Sequence, residues 1–187
     1  MPWVGFPLSQ LLDLAGATAD AKYVVFKGIT QEDLAGHTSP LSTFFPNMGG
    51  ASWPYTEAIT VEEARSELAF VSTGMYQSPL PPQNGAPLRL TLPWKYGFKS
   101  IKFITDIELI GGDMPPSTFW SDANYDEYGF WANVNPEVPH PRWSQATERV
   151  LTDTTYSTER IPTQLYNGYE DEIAYLYTDL QGERLFV

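Results

Sequence analysis

The prolines and glycines of this chain limit its possible folds more than any other feature. The 187 residues include 16 prolines and 14 glycines, and only 18% of the residues are charged. Proline removes a backbone donor and glycine weakens helix interiors, so this composition favours loops and short strands over a helical bundle. The 42% hydrophobic content is enough for a sizeable core. We therefore predict a single domain over residues 1–187, with an α+β fold of mixed β-sheets and short helices.

Charge and residue usage exclude several classes of function. The formal net charge is -12, which argues against nucleic-acid binding because that function needs a basic face. The chain has no cysteine, so it cannot form a disulfide or supply a thiolate ligand. No apolar run reaches the roughly 20 residues of a membrane span. The first seven residues lack the pattern of a signal peptide and resemble the inside of a fold, so we expect further sequence upstream of Met1.

Hydrophobic periodicity and turn residues predict the secondary structure. Thr60 and Glu63 are spaced as a capping box, which begins a helix of about two turns. Other helices are predicted at residues 7–15, 144–150 and 169–177. Strands are predicted at residues 22–27, 68–71, 88–92 and 101–110. Residues 30–56 and 111–142 are expected to be irregular.

Residues 81–102, here called the basic segment, contain an unusual share of the positive charge. Four of the 11 lysines and arginines lie in it: Arg89, Lys95, Lys99 and Lys102. Its glycines and prolines favour turns that can direct backbone N–H groups toward a ligand. The pattern favours binding of a phosphorylated small molecule, although a simple solvated surface remains the alternative.

Six motifs, in order along the chain, are similar to one known family. They are Pro2–Leu8, Leu80–Pro87, Pro93–Lys99, Asp126–Phe130, Ala132–Pro136 and His140–Arg149, and Asn167–Tyr169 also fits. Together they resemble the molybdopterin-binding domain of the sulfite oxidase superfamily. Within that superfamily they are most similar to the catalytic subunits of periplasmic protein-methionine-sulfoxide reductases. The resemblance implies a sulfite-oxidase-type fold and a molybdenum-molybdopterin cofactor.

The resemblance also implies particular cofactor-binding residues. Asn84 and Arg89 occupy the positions of a stretch that contacts the pyranopterin, and Ser100, Ile101 and Lys102 occupy those that hold the cofactor's phosphate. The chemistry of these residues agrees, because Arg89 can form a charged fork to a phosphate and Lys102 adds a point charge. The amide of Asn84 offers both donors and an acceptor to a pterin edge.

For activity, the resemblance implies reduction of methionine sulfoxide, in oxidised proteins or free, by oxygen-atom transfer to molybdenum. It also implies a membrane haem-binding subunit as electron donor and a periplasmic location. Thr73 stands where sulfite oxidases carry a catalytic tyrosine, which argues against sulfite as the substrate. The family binds molybdenum through a cysteine that this chain lacks. The alternative is therefore a cofactor-free remnant or binding module of the same fold.

Some other residues have simpler interpretations. The aromatic stretch from Trp120 to Trp131 is interpreted first as core and loop packing, with the wall of a substrate funnel as the alternative. His140, beside Pro141, is interpreted as a structural hydrogen-bonding residue, and no metal site is predicted. The acidic residues 170–172 are interpreted as favourable charges in the first turn of a helix.

Overall fold

The computed structural model describes residues 1–30, 54–150, 159–180 and 182–187. Its strands are β1 (Trp3–Pro7), β2 (Tyr23–Gly28), β3 (Thr56–Thr60), β4 (Phe70–Met75), β5 (Ser78–Pro79), β6 (Arg89–Thr91), β7 (Ile104–Ile110), β8 (Thr147–Arg149) and β9 (Arg160–Pro162). The α-helices are α1 (Leu8–Ala15), α2 (Val61–Arg65), α3 (Phe119–Asn124) and α4 (Glu170–Ile173). Short 3-10 turns lie at Pro82–Asn84, Gly97–Lys99, Leu165–Gly168 and Ala174–Tyr177.

The strands form three antiparallel groups. In the first sheet, β4 pairs with β1 on one side and with β5 and β6 on the other. The second sheet has the order β3-β2-β7, and β8 pairs with β9 as a separate ladder. The combination of antiparallel sheets with a few short helices confirms the predicted α+β class.

One hydrophobic core joins both larger sheets to the C-terminal turns. It includes Phe26 of β2, Leu90 of β6 and Trp94, which are fully buried. Ile173 and Tyr177, near the C-terminus, pack in the same cluster. The basic segment therefore contacts the C-terminal part of the chain through the core, where the Trp94 indole N–H donates to the Tyr177 hydroxyl.

Several predicted elements are confirmed. Helix α1 buries Leu8 and Leu12 and ends at Gly16, whose φ of 68° is the left-handed conformation that glycine adopts readily. Both bonds of the capping box form, since the Glu63 N–H donates to the Thr60 hydroxyl and the Thr60 N–H donates to the Glu63 carboxylate. Helix α2 is shorter than the predicted two turns because the backbone is already extended at Ser66.

The predicted helix at residues 144–150 is wrong. Thr147–Arg149 instead forms β8 and pairs with Arg160–Pro162, and the Arg160 side chain donates to the Thr147 hydroxyl. This pairing partner is separated in sequence, so local periodicity did not reveal it. Residues 111–142 were also expected to be irregular, yet they contain α3, which begins at a capping box of Thr118 and Ser121.

Strand boundaries differ modestly from the predictions. The strand predicted at residues 101–110 begins at Ile104, because Phe103 has a φ of 56° that interrupts the extended backbone. The strand predicted at residues 68–71 begins at Phe70 and continues to Met75. The predicted helix at residues 169–177 is present as α4 followed by a 3-10 turn. Most of the expected excursion at residues 30–56 lies outside the described residues.

Candidate anion-binding site

Backbone and side-chain hydrogen bonds hold the two ends of the basic segment together. The Leu90 N–H donates to the carbonyl of Ile101 at 2.9 Å, and the Leu92 N–H donates to the Ser100 hydroxyl at 3.2 Å. The Ile104 N–H donates to the carbonyl of Leu88 at 3.1 Å. Residues 88–92 and 100–104 therefore lie side by side, which brings Arg89 near Lys102.

Lys95 is buried and belongs to the structural core. Its Nζ lies 2.6 Å from Glu63 Oε1 and also donates to the carbonyl of Trp131 and to Asn133 Oδ1. Tyr177 donates its hydroxyl to the same carboxylate at 2.6 Å. Burial lowers the pKa of Lys95 to about 8, although the charge of Glu63 opposes this effect. The charge of Lys95 is thus compensated inside the protein.

Lys99 is equally buried. Its Nζ lies 2.8 Å from Glu57 Oε2, donates to the carbonyl of Ala58 at 2.7 Å and lies 4.9 Å from the ring centre of Phe130. Burial raises the pKa of Glu57, and the charge of Lys99 opposes that rise. Lys95 and Lys99, two of the four bases of the basic segment, are therefore structural, because a buried cation is stable only when a carboxylate pairs with it.

Arg89 and Lys102 have a different environment. The Arg89 guanidinium lies 4.8 Å from the ring centre of Trp3, and its Nη1 donates to the carbonyl of Asn84 at 3.2 Å. Lys102 Nζ donates to the carbonyl of Gln83 at 2.7 Å. Within the described part of the chain, neither cation forms an ion pair with a carboxylate. No carboxylate among residues 1–30, 54–150, 159–180 and 182–187 therefore compensates their positive charge.

The electrostatics indicate that these two cations are close to each other. Partial burial of the largely exposed Lys102 lowers its pKa, and the positive charge of Arg89 lowers it further. Burial also lowers the pKa of Arg89, whose Nε is enclosed and has no hydrogen-bond partner among the described residues. Two neighbouring cations and an unpaired buried donor are an arrangement that an anion would stabilise.

Gly85 allows the turn at residues 82–85 to pack against Lys102. Its φ is 105°, and a Cβ atom at this position would lie 2.7 Å from Cβ of Lys102. The N–H of Phe103 donates to the carbonyl of Gly85 at 3.1 Å. Only glycine fits here without strain, and its small size lets the turn approach Lys102 closely. The neighbouring Asn84 therefore lies near Arg89 and Lys102.

A cavity of about 260 Å³ opens beside Lys102. Ser100, Ile101 and Lys102 line it, and Tyr55 and Phe98 form part of its wall. Tyr55 donates its hydroxyl to the carbonyl of Phe98 at 2.7 Å, which fixes that wall. Of the five predicted site residues, three line this cavity, whereas Asn84 and Arg89 lie beside Lys102 and do not line it.

The sequence analysis missed the partners that arrange this site. Glu57 on β3 and Glu63 on α2 hold Lys99 and Lys95, and Tyr55 walls the cavity. A signal was present for Glu57, which stands beside Ala58 and Ile59 in a strand whose other polar residues are two terminal threonines. A lone carboxylate in a buried strand normally requires a cationic partner.

These features define an α+β domain with a loop-built cavity and uncompensated cations at its edge. The sequence model of the oxidoreductase molybdopterin binding domain family matches residues 1–120. This range covers well over half of the 187 residues and includes the whole basic segment, and the chain belongs to that family. It is accordingly a molybdopterin-binding oxidoreductase domain.

The described residues contain neither a candidate metal site nor a helix that could span a membrane. No group of three or more His, Cys, Asp or Glu side chains there is arranged to hold a metal ion. No helix in the described ranges is long and apolar enough to cross a membrane.

Proposed function

We propose that the edge of the 260 Å³ cavity holds the phosphate of molybdopterin. In this proposal, Arg89 and Lys102 provide charged hydrogen bonds, and Ser100 and Ile101 provide hydroxyl and backbone donors. Asn84 contacts the pterin edge through its side-chain amide. The observation that carries the proposal is the uncompensated pair of Arg89 and Lys102, with a buried Arg89 Nε that has no partner in the described structure.

Several observations of the chain fit this group. Gly85 leaves no room for a side chain beside Lys102, so the turn and the lysine form a tight edge. Lys102 also borders the cavity, which is large enough for part of a small-molecule cofactor. The buried Lys99–Glu57 pair fixes the loop to the core, because Lys99 immediately precedes Ser100. A fixed loop keeps its hydrogen-bond donors in place before the ligand binds.

We propose methionine sulfoxide, in oxidised proteins, as the substrate. The overall reaction takes a sulfoxide, two electrons and two protons to a thioether and water. Molybdenum-molybdopterin, when bound, supplies the redox metal that accepts the oxygen atom. The role of this chain's residues is to bind the cofactor, exclude water and position the substrate. We also propose a membrane haem-binding subunit as the electron donor and a periplasmic location; both rest on the motifs described above.

Thiolate ligation is the chemical constraint on this proposal. The 187 residues contain no cysteine, so a thiolate ligand for molybdenum would have to come from outside them. The retained pterin is therefore a more direct readout of this chain than turnover. The motif resemblance predicts that the 187 residues alone do not reduce methionine sulfoxide.

The proposal is tested by expressing the chain in a host that makes the cofactor. Pterin content is measured by fluorescence after oxidation, molybdenum by mass spectrometry, and reduction of a methionine-sulfoxide peptide with dithionite-reduced viologen. The same assays are run on a version extended N-terminally with a cysteine-containing segment, and on its Cys→Ser variant. We expect pterin in each protein and turnover only in the extended cysteine form. Absence of pterin from all of them would leave the cofactor-free binding module as the function.

A further inference from the structure

A second cavity lies next to the anion-binding site and shares the side chain of Phe98 with it. Its volume is about 140 Å³, and its walls are mainly apolar, with the rings of Tyr96, Tyr128 and Trp143 among them. His140 also lines it, and we call it the His140 slot. An apolar cavity of about 150 Å³ holds a molecule of the size of benzene. The His140 slot is therefore suited to one compact side chain.

The contacts of His140 define its tautomer. The backbone N–H of Arg142 donates to Nδ1 of His140 at 3.2 Å, so Nδ1 carries no proton and Nε2 carries it. The imidazole stacks on Trp143 with a centroid distance of 3.6 Å and an interplanar angle of 7°. Burial lowers the pKa of His140, with Glu127 opposing and Arg142 reinforcing the change. At neutral pH the ring is thus a neutral donor through Nε2.

This donor has no acceptor in the described structure. His140 is only 9% exposed, and its Nε2 is enclosed without a hydrogen-bond partner among the described residues. Oε2 of Glu127 lies 3.5 Å away, which is too long for a good hydrogen bond, and it is already paired with Arg142 at 2.7 Å. Buried hydrogen-bond donors nearly always have an acceptor. A ligand with an acceptor atom would supply the missing partner of His140 Nε2.

We propose that the His140 slot binds the side chain of methionine sulfoxide, whose oxygen accepts a hydrogen bond from His140 Nε2. This inference rests on the proposed function and names the place where its substrate binds. A sulfoxide has a neutral acceptor and no donor, and its sulfur and methyl groups pack well against aromatic rings. An amide side chain would bring N–H groups into apolar walls, and a carboxylate would meet the charge of Glu127.

The surroundings of the slot indicate that the sulfoxide belongs to a polypeptide. An open cleft of about 400 Å³ shares Tyr96, Trp143 and Gln145 with the slot. Polar side chains, including Ser144 and Thr163, line the rest of the cleft. Such groups can pair with the backbone N–H and C=O groups of an extended segment. Trp143 is 49% exposed and lies between the two spaces. A peptide backbone in the cleft would place one side chain in the slot.

The first test observes His140 directly in the cofactor-free chain. A ¹⁵N-labelled His37→Gln variant leaves His140 as the one histidine, because the sequence contains only two. A blocked glycine–methionine-sulfoxide–glycine peptide is titrated, with the corresponding methionine peptide as the control. We expect the Nε2 resonance of His140 to move in a saturable manner with the sulfoxide peptide only. No shift, or equal shifts with both peptides, overturns the proposal.

The second test compares affinities by calorimetry. In the variant His140→Asn, the side-chain amide oxygen can still accept a hydrogen bond from the Arg142 N–H, but no N–H group lies at the position of Nε2. We expect His140→Asn to weaken binding of the sulfoxide peptide by roughly three- to ten-fold, as for one neutral hydrogen bond. Tyr125→Phe, at an exposed tyrosine that lines neither the slot nor the cleft, should bind as the unmodified chain does. Unchanged affinity in His140→Asn contradicts the proposal.

Turnover of the cofactor-loaded, cysteine-extended protein separates this inference from the proposed function. If that protein reduces the peptide and His140→Asn leaves the KM unchanged, the proposed binding in the His140 slot is wrong and the proposed reductase function is supported. If the peptide binds at His140 but is never reduced, binding in the slot is supported and the proposed reductase function is wrong.

Discussion

Lys99 and Lys102 are three residues apart in the same loop, yet they serve opposite purposes. Lys99 is fully buried, paired with Glu57, and fixes the loop to the core. Lys102 is exposed at the cavity edge beside Arg89, and neither has a carboxylate partner in the described residues. Lys95 resembles Lys99 in this respect, because Glu63 compensates its charge. Basic residues of one segment therefore have two different roles. Lys95 and Lys99 fix the loop to the core, whereas Lys102 and Arg89 are available to a ligand.

The largest expected effect is on stability and comes from the buried pairs. Lys99→Met leaves the Glu57 carboxyl in the core without its cationic partner, so we expect the free energy of unfolding to fall by about 3–5 kcal/mol. The double variant Glu57→Gln/Lys99→Met should recover a large part of that loss. Both are measured by urea unfolding followed by tryptophan fluorescence.

A matched control exists for this experiment at the surface. Lys22 pairs with Asp113 at 2.7 Å, but both side chains are exposed. We expect Lys22→Met to leave the free energy of unfolding nearly unchanged, because exposed pairs are screened by solvent. If Lys99→Met were as mild as Lys22→Met, Lys99 would not be a structural residue.

The next effect concerns cofactor retention at Arg89. Arg89→Ala removes a charged donor, which typically contributes about 1.5–3 kcal/mol, so pterin affinity should fall roughly ten- to a hundred-fold. Arg89→Lys should restore retention only partly, because lysine keeps the charge but not the planar fork. Fluorescence of the oxidised pterin, per mole of folded protein, is the readout. Full retention in Arg89→Ala would remove Arg89 from the site.

A smaller effect is expected from the turn that packs on Lys102. Gly85→Ala forces a side chain into a left-handed conformation and against Lys102, so we expect a loss of about 1–2 kcal/mol in stability together with weaker pterin retention. Gly97 is in the same segment, has open space around it and no positive φ. Gly97→Ala should therefore leave the free energy of unfolding nearly unchanged, and equal losses of stability at both glycines would contradict the packing argument.

The last prediction is a dependence of stability on pH from Lys95. Its pKa in the folded protein is about 8, below its ordinary value, so between that pH and about 10 the unfolded chain holds a proton that the folded chain has lost. Stability from this group therefore rises with pH over that window, by at most about 1.4 kcal/mol per pH unit. Glu63→Gln/Lys95→Met should lack this slope. If the double variant and the unmodified chain had the same slope, Lys95 would remain protonated across this pH window in the folded protein.

Local chemistry made part of this structure predictable. The capping box at Thr60 and the apolar spacing of α1 act within a few residues, so both helices are present, although α2 is shorter than predicted. The pairing of β8 with β9 depends on residues separated in sequence, and the predicted helix at residues 144–150 therefore failed. The predicted site residues remain a prediction about the cofactor. The structure brings Asn84, Arg89 and Lys102 together through Gly85, whose close approach no periodicity reveals.

Which bases of the basic segment are buried and which are available to a ligand could not be predicted, for a related reason. Their sequence neighbours are similar turn residues, and burial depends on Glu57 and Glu63 from distant elements. His140 was interpreted as a structural hydrogen-bonding residue, and its Nδ1 does accept from Arg142. The enclosure of the second nitrogen, and the slot that His140 lines, depend on aromatic residues from separate stretches of the chain.

One pterin-loading experiment on Lys102→Met and Lys99→Met separates the ligand-binding lysine from the structural one. Each variant is assayed for pterin per mole of folded protein and for its free energy of unfolding. We expect Lys102→Met to unfold like the unmodified chain but to lose pterin roughly ten-fold or more, whereas Lys99→Met loses stability first. If Lys102→Met retained as much pterin as the unmodified chain, Lys102 would not belong to the anion-binding site.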